Sequence, residues 1–225
     1  MSRHPFDPAF AELPDSLPIF PLAGALLLPG GRLPLNIFEP RYLAMVSDAL
    51  AGSRLIGMVQ PRPLPEGTAA FADQGRAPVY ATGCAGRIIA FGETDDGRYL
   101  ITLAGLLRFD IQAELAGEKG YRRVRPDWSS YEADMAAGDP ADLDRPRLLA
   151  ALRSYFARAG IEGDWEAING APDEALVTSI AMACPFDPME KQALLEAPSL
   201  DARADTMIAI LEMAAAGEGS EARRH

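Results

Sequence analysis

The stretch that decides the fold is Leu28-Pro29-Gly30-Gly31-Arg32-Leu33-Pro34-Leu35-Asn36-Ile37-Phe38-Glu39-Pro40-Arg41-Tyr42. It contains a turn, an extended run and a helix start within fifteen residues. Pro29-Gly30-Gly31 is turn chemistry, and it closes the apolar run Leu26–Leu28, which reads as a short buried strand. Pro34 disfavours helix in the residue before it, so Arg32–Phe38 reads as extended. Pro40 suits a first helical position, where its missing N–H goes unused. From there Tyr42, Leu43, Met45, Val46, Ala49 and Leu50 recur at helical spacing, and Gly52 predicts the C-terminal cap.

Upstream, Ser16–Leu22 carries two prolines and reads as another extended segment, with order beginning near Leu13. Downstream, Arg54–Gln60 reads as a strand. Pro61–Pro78, rich in Pro and Gly, reads as a surface loop. Val79–Ala90 carries the next strand or two. A hairpin turns across Thr94–Gly97 into Tyr99–Leu103, followed by strands at Leu106–Ala113 and Tyr121–Arg125. Six or seven strands with one early helix predict a small closed or nearly closed β-barrel.

After Asp127 the period changes. Trp128–Asp142 is acidic and mixed, and reads as a linker or short helix. Helical spacing returns at Arg147–Ala159, ended by Gly160, and at Ala175–Ala183, ended by Pro185. Pro188–Glu196 follows with Asp187 as N-cap, and Leu200–Ala216 comes last. Trp165–Ile168 reads as a short helical turn. The expected organisation is α+β: a β-domain over 13–125 and a helical bundle over 126–216, with 1–12 and 217–225 lacking order.

The net charge of −11 is uneven. Residues 1–125 hold 13 Lys+Arg and 13 Asp+Glu, whereas 126–225 hold 8 and 19. Neither half offers the concentrated positive surface that a polyanion needs, so nucleic acid is not an expected partner. No apolar run reaches the length of a membrane span, and the first residues lack a signal core. A cytoplasmic protein is therefore expected, with no membrane partner. Cys84 and Cys184 are too few and too far apart for a disulfide scaffold or a compact metal motif, and read as buried thiols.

Residue types for catalysis are scarce. No GxGxxG follows a strand, and neither GxSxG nor GxxxxGK followed by Ser or Thr occurs. The histidines are His4 and His225, near the two ends, which leaves little for a His-dependent triad or metal site. Asp95-Asp96-Gly97 is an exposed turn before it is a carboxylate pair. Catalytic residues, metals and cofactors are therefore not expected. Arg87, Arg98 and Arg108 fall on neighbouring strands. They could line a cleft for a peptide carbonyl or carboxylate, or form ion pairs with Glu93 and Asp110. Glu39 and Arg41 flank the strand-to-helix junction, as a surface contact or as a local ion pair. Phe20, Ile37, Phe38 and Tyr42 read mainly as core, and Trp128 and Trp165 as packing anchors.

Several runs together resemble the N-terminal, substrate-binding domain of Lon proteases. They are Leu17-Pro18-Ile19-Phe20-Pro21-Leu22, the 28–42 stretch, Leu55-Ile56-Gly57-Met58-Val59-Gln60 and Gly83-Cys84-Ala85-Gly86-Arg87-Ile88. Asp96 through Phe109 and Pro185 through Glu196 continue the series. The resemblance spans about Leu13 to Glu212 and is nearest to short bacterial proteins carrying this domain alone. It implies a PUA-like (pseudouridine-synthase-and-archaeosine-transglycosylase-like) barrel followed by helices. It also implies binding of unfolded or partly folded polypeptide segments, as an adaptor without the ATPase module or Ser-Lys proteolytic dyad of the protease. A scaffold for one folded partner is the alternative. Candidate protein-binding residues are Phe38, Glu39, Arg41, Tyr42, Arg87, Arg98 and Arg108.

Overall fold

The computed structural model describes residues 4–63, 77–117, 119–136 and 142–221. The chain divides into two compact units, 1–138 and 139–225.

The first unit is built on six strands among the described residues: β1 (Leu17–Pro21), β2 (Arg32–Ile37), β3 (Leu55–Val59), β4 (Thr82–Glu93), β5 (Tyr99–Leu115) and β6 (Arg122–Asp127). Their order is β2-β5-β4-β3-β1-β6, and β6 pairs again with β5. Five strands thus form a closed cycle of pairings, with β2 attached outside it. Only β1 and β3 run parallel; α1 (Pro40–Ala51) lies between them in the chain. Pro40 stands in the first turn of α1, and the Glu39 carbonyl accepts from Tyr42 and Leu43. Tyr42, Met45, Val46 and Ala49 form its buried stripe. Gly52 caps the helix, but the sharp turn into β3 falls on Arg54, which adopts a left-handed φ of 59° while its N–H donates to Ala49.

Two expected strands, 99–103 and 106–113, are one strand of 17 residues. β5 pairs with β2 along its first part, with β4 through Asp110, and with β6 from Asp110 onward. A register shift at Ile88/Ala90 marks a bulge on β4, and shifts at Ala85/Gly86 and Ile111/Ala113 mark bulges that bend and twist β5, which serves three neighbours. Its inner side carries Leu107 and Phe109 into a core with Leu17, Ile19, Leu55, Val59, Ala85 and Val124. Gly83 is paired directly with Phe109 across β4 and β5, and the ring leaves it no room for a Cβ. One would sit 2.7 Å from both the Phe109 ring and the Met58 carbonyl oxygen.

Leu26–Leu28 is buried, as expected, but it is not a strand. Left-handed Gly24 and Gly30 bracket it, and Gly30 and Gly31 bond to Gly105 in its place. Residues 126–136 do not open the helical part: β6 runs to Asp127, and a 3-10 segment, Ser129–Met135, packs on β5. Nor are residues 4–12 loose. A 3-10 turn forms at Phe10–Glu12, and Asp7 bonds Arg87. Most of the expected 61–78 loop, residues 64–76, lies outside the described residues, as do 1–3 and 222–225 of the expected loose ends. Pro61 bridges Val79 where the chain re-enters.

The second unit contains α2 (Arg145–Ala159), α3 (Trp165–Gly170), α4 (Asp173–Ala183), α5 (Pro188–Glu196) and α6 (Leu200–Glu221). Local chemistry fixes the ends. Asp144 accepts from the Arg147 N–H, Gly160 takes a left-handed φ of 64° after α2, and Asp187 and Glu190 cap α5 reciprocally. Arg145 bonds Asp173 and the carbonyls of Ile168, Asn169 and Ala171, tying α2 to the end of α3. Leu148, Leu152, Leu176, Val177, Leu194, Met207, Ile208 and Leu211 are buried. The last helix continues past the expected end at 216, to Glu221. No helix of the described residues is long and apolar enough to cross a membrane.

Candidate functional site

The apolar surface of the first unit concentrates where β2 ends, β5 begins and β4 ends. Residues opposite one another in antiparallel strands share a face. Leu100 lies between Asn36 and Gly92, and Phe38 extends the Asn36 row by one step. Leu100 is 49% exposed and Phe38 63%. Gly92 places nothing opposite Leu100, since a Cβ there would meet no atom within 4 Å. The other face carries Phe91, 42% exposed, edge-on to Tyr99 with ring centroids 4.9 Å apart. Ile89, at the bulge, is also exposed. Elsewhere in this unit large apolar side chains are mostly buried, so the cluster stands out as surface chemistry.

The hairpin that carries this cluster is held by polar groups. Arg98 donates to Asp96 at 2.8 Å, and its guanidinium lies 6.0 Å from the Phe38 ring centroid. The Thr94 hydroxyl bonds the Asp96 carboxylate, which together with Arg98 holds that carboxyl below its ordinary range. Arg98 thus presents a cation, partly neutralised, beside an exposed aromatic ring.

The other predicted residues do not join it. Tyr42 is core: its ring packs 4.2 Å from Phe20, and burial raises its hydroxyl above the usual range despite the neighbouring Arg41. Glu39 and Arg41 pair with each other at 2.8 Å. Arg87 is buried against Asp7 at 2.7 Å. Arg108, also buried, grips Asp134 with Nε and Nη2, both at 2.8 Å, while its backbone N–H donates to the same carboxylate at 2.9 Å. Its guanidinium lies 4.8 Å over the Tyr131 ring. Burial opposes its charge, and Asp134 outweighs burial, so Arg108 is held more firmly protonated than usual. Each arginine has its own carboxylate, and neither Glu93 nor Asp110 is the partner. Asp110 accepts instead from Thr82 at 2.7 Å and Tyr131 at 3.2 Å.

Phe38 reads as core in the sequence because its neighbours do; only its place just past the last β2 pair exposes it. Asp7 and Asp134 carry no sequence signal, lying in segments that read as loose or linking. Cys84 and Cys184 are buried thiols not joined in a disulfide, and burial lifts Cys184 to about 11. Among the described residues no cluster of His, Cys, Asp and Glu could hold a metal ion.

Residues 16–213 match the family model of the ATP-dependent protease La (LON) substrate-binding domain. Lon protease 2 of Myxococcus xanthus is 33% identical over 116 residues, covering 52% of this chain and 13% of that protein. Lon protease 2 of Sorangium cellulosum is 26% identical over 204 residues, covering 88% of this chain and 24% of that protein. The chain therefore spans a quarter or less of the length of these relatives. Among solved structures, a Lon N-terminal domain protein from Xanthomonas campestris superposes with a TM-score of 0.57 at 22% identity, covering 86% of this chain and 97% of that one. The N-terminal domain of a Mycobacterium avium complex Lon protease gives 0.55 at 18%, covering 88% and 98%. These two share the mixed α+β fold.

Proposed function

The chain belongs to the LON substrate-binding domain family, and from that premise we propose that it recognises polypeptides through the exposed apolar face formed by Phe38 and Leu100. The observation that carries this reading is the exposure of Phe38 and Leu100 on one face of paired strands, whereas the other exposed large apolar groups of this unit, Phe6, Ile89 and Phe91, do not join that row. Unfolded or partly folded segments suit such a surface, because they offer apolar side chains without a folded shape to match. The protein acts in this reading as a non-catalytic adaptor in the cytoplasm, with protein rather than nucleic acid as its partner. Arg98 contributes beside Phe38, while Arg87 and Arg108 hold the scaffold. The closed cycle of pairings supports reading the sheet as a small barrel of the PUA-like kind.

Titration of the full chain with reduced, carboxymethylated α-lactalbumin, followed by fluorescence anisotropy, tests the reading. Saturable binding is expected, weakened by about tenfold or more in Phe38→Ser with Leu100→Ser. Unchanged binding in that double variant would remove the cluster from the site. Capture of a single folded partner at fixed stoichiometry, with no affinity for unfolded chains, would replace the reading with that of a dedicated scaffold.

A further inference from the structure

β2 stands at the end of the sheet order, bonded only to β5. The Gly105 N–H donates to the Gly31 carbonyl at 2.9 Å. Continuing that pair in steps of two along the register gives Leu33↔Leu103, Leu35↔Ile101 and Ile37↔Tyr99. Backbone groups alternate sides along an antiparallel ladder. Residues 33, 35 and 37 therefore bond β5. The N–H groups of Arg32 and Asn36, and the carbonyls of Arg32, Pro34 and Asn36, point away from the sheet. Pro34 agrees independently, since proline is tolerated in a strand where its missing N–H would face outward. Among the described residues no hydrogen bond reaches this outer edge. Arg32, Pro34 and Asn36 are exposed, and Phe38 and Leu100 stand on the same face beside them.

We infer that this edge takes up an extended segment of the bound polypeptide as an additional strand alongside β2, its alternate side chains lying beside Arg32, Pro34 and Asn36 and meeting Phe38 at the end of that row. The inference rests on the polypeptide-binding reading and adds the manner of binding. An open strand edge reads the backbone, which all unfolded chains share, while the apolar row asks only for alternation. A second copy of this chain fits the edge less well. Self-pairing centred on Pro34 would set two prolines opposite each other and lose both central N–H donors. A foreign segment with any other residue at that point donates its own N–H to the Pro34 carbonyl.

Overlapping peptides of α-lactalbumin are titrated against the full chain. The tightest binder is resynthesised with N-methyl groups on alternate residues, once in each phase. Strand addition predicts that one phase loses about tenfold or more in affinity while the other binds like the parent. Asn36→Pro, which removes an outward donor and leaves the β5 bonds intact, should weaken the parent peptide in the same direction. Equal binding of both N-methylated phases would overturn strand addition and leave recognition by side chains standing. Failure of every peptide and of the unfolded protein to bind would overturn both readings. A concentration-dependent dimer abolished by Asn36→Pro would assign the edge to a second copy and overturn the inference.

Discussion

Replacing Asp134 with Ala removes the carboxylate that accepts from the backbone N–H, Nε and Nη2 of Arg108. The two side chains are only 8% and 11% exposed, so water cannot readily take over. A guanidinium left buried without its anion costs about 3–5 kcal/mol. That is a large part of the ~5–15 kcal/mol that holds a domain folded. At about 2–4 °C per kcal/mol for a chain of this size, the melting midpoint of the first unit should fall by roughly 6–20 °C. Trp128 packs edge-on against Phe109 in this unit, and the chain has two tryptophans. In a Trp165→Phe background, Trp128 fluorescence therefore follows the first unit alone. Arg108→Met combined with Asp134→Leu should recover part of the loss, because no charge is left stranded while the residue-108 backbone N–H still loses its carboxylate acceptor. A shift for Asp134→Ala equivalent to less than about 1 kcal/mol, the size typical of exposed pairs, would refute the claim that this pair is a buried clamp.

Gly83→Val should destabilise the same unit by about 1–3 kcal/mol or more in urea titration, because the new Cβ meets the Met58 carbonyl and the Phe109 ring. Phe109→Ala, which empties the other side of that contact, should cost about 3–5 kcal/mol by the same assay. For the second unit, Cys184 supplies a pH dependence. Its thiol titrates near 9.0 when unfolded and about 11 when folded, so between those values the unfolded state has released a proton that the native state retains. Stability is therefore full below 9.0 and falls as pH rises toward 11, and the difference between the native chain and Cys184→Ala should narrow or reverse across that window in urea midpoints. Arg147→Ala, by contrast, should leave the midpoint unmoved, since its bidentate pair with Glu212 is exposed; a clear loss would show that α2 and α6 depend on it.

What the sequence reveals follows from where each constraint resides. Pro40, Gly52, Gly160 and the Asp187–Glu190 cap are local devices, and each marks its helix end in the sequence. Leu26–Leu28 shows its burial but not its conformation, because apolar content reports the core while Gly24 and Gly30 set the backbone. The break expected near Ala104-Gly105 does not occur. Gly105 is there because the Leu28 carbonyl approaches it closely, a contact between distant segments. The arginines were legible as candidates and their partners were not, since Asp7 is 80 residues from Arg87 and Asp134 is 26 from Arg108. The exposed cluster is legible only once β2 is set beside β5, for Phe38 and Leu100 each look like ordinary core residues alone.

The cycle of pairings has a consequence for synthesis. β1 is bonded on one side to β3 and on the other to β6, with Leu17 opposite Val124. A chain leaving the ribosome can form the β4–β5 hairpin from neighbouring residues, but it cannot complete the ring until β6 has emerged. During that interval Leu17 and Ile19, fully buried in the finished core, lack their last cover. The first strand to be made is the one whose bonding is finished last. Nascent chains stalled before residue 122 should therefore hold an exposed apolar strand that needs a chaperone, and chains stalled well beyond Asp127 should not.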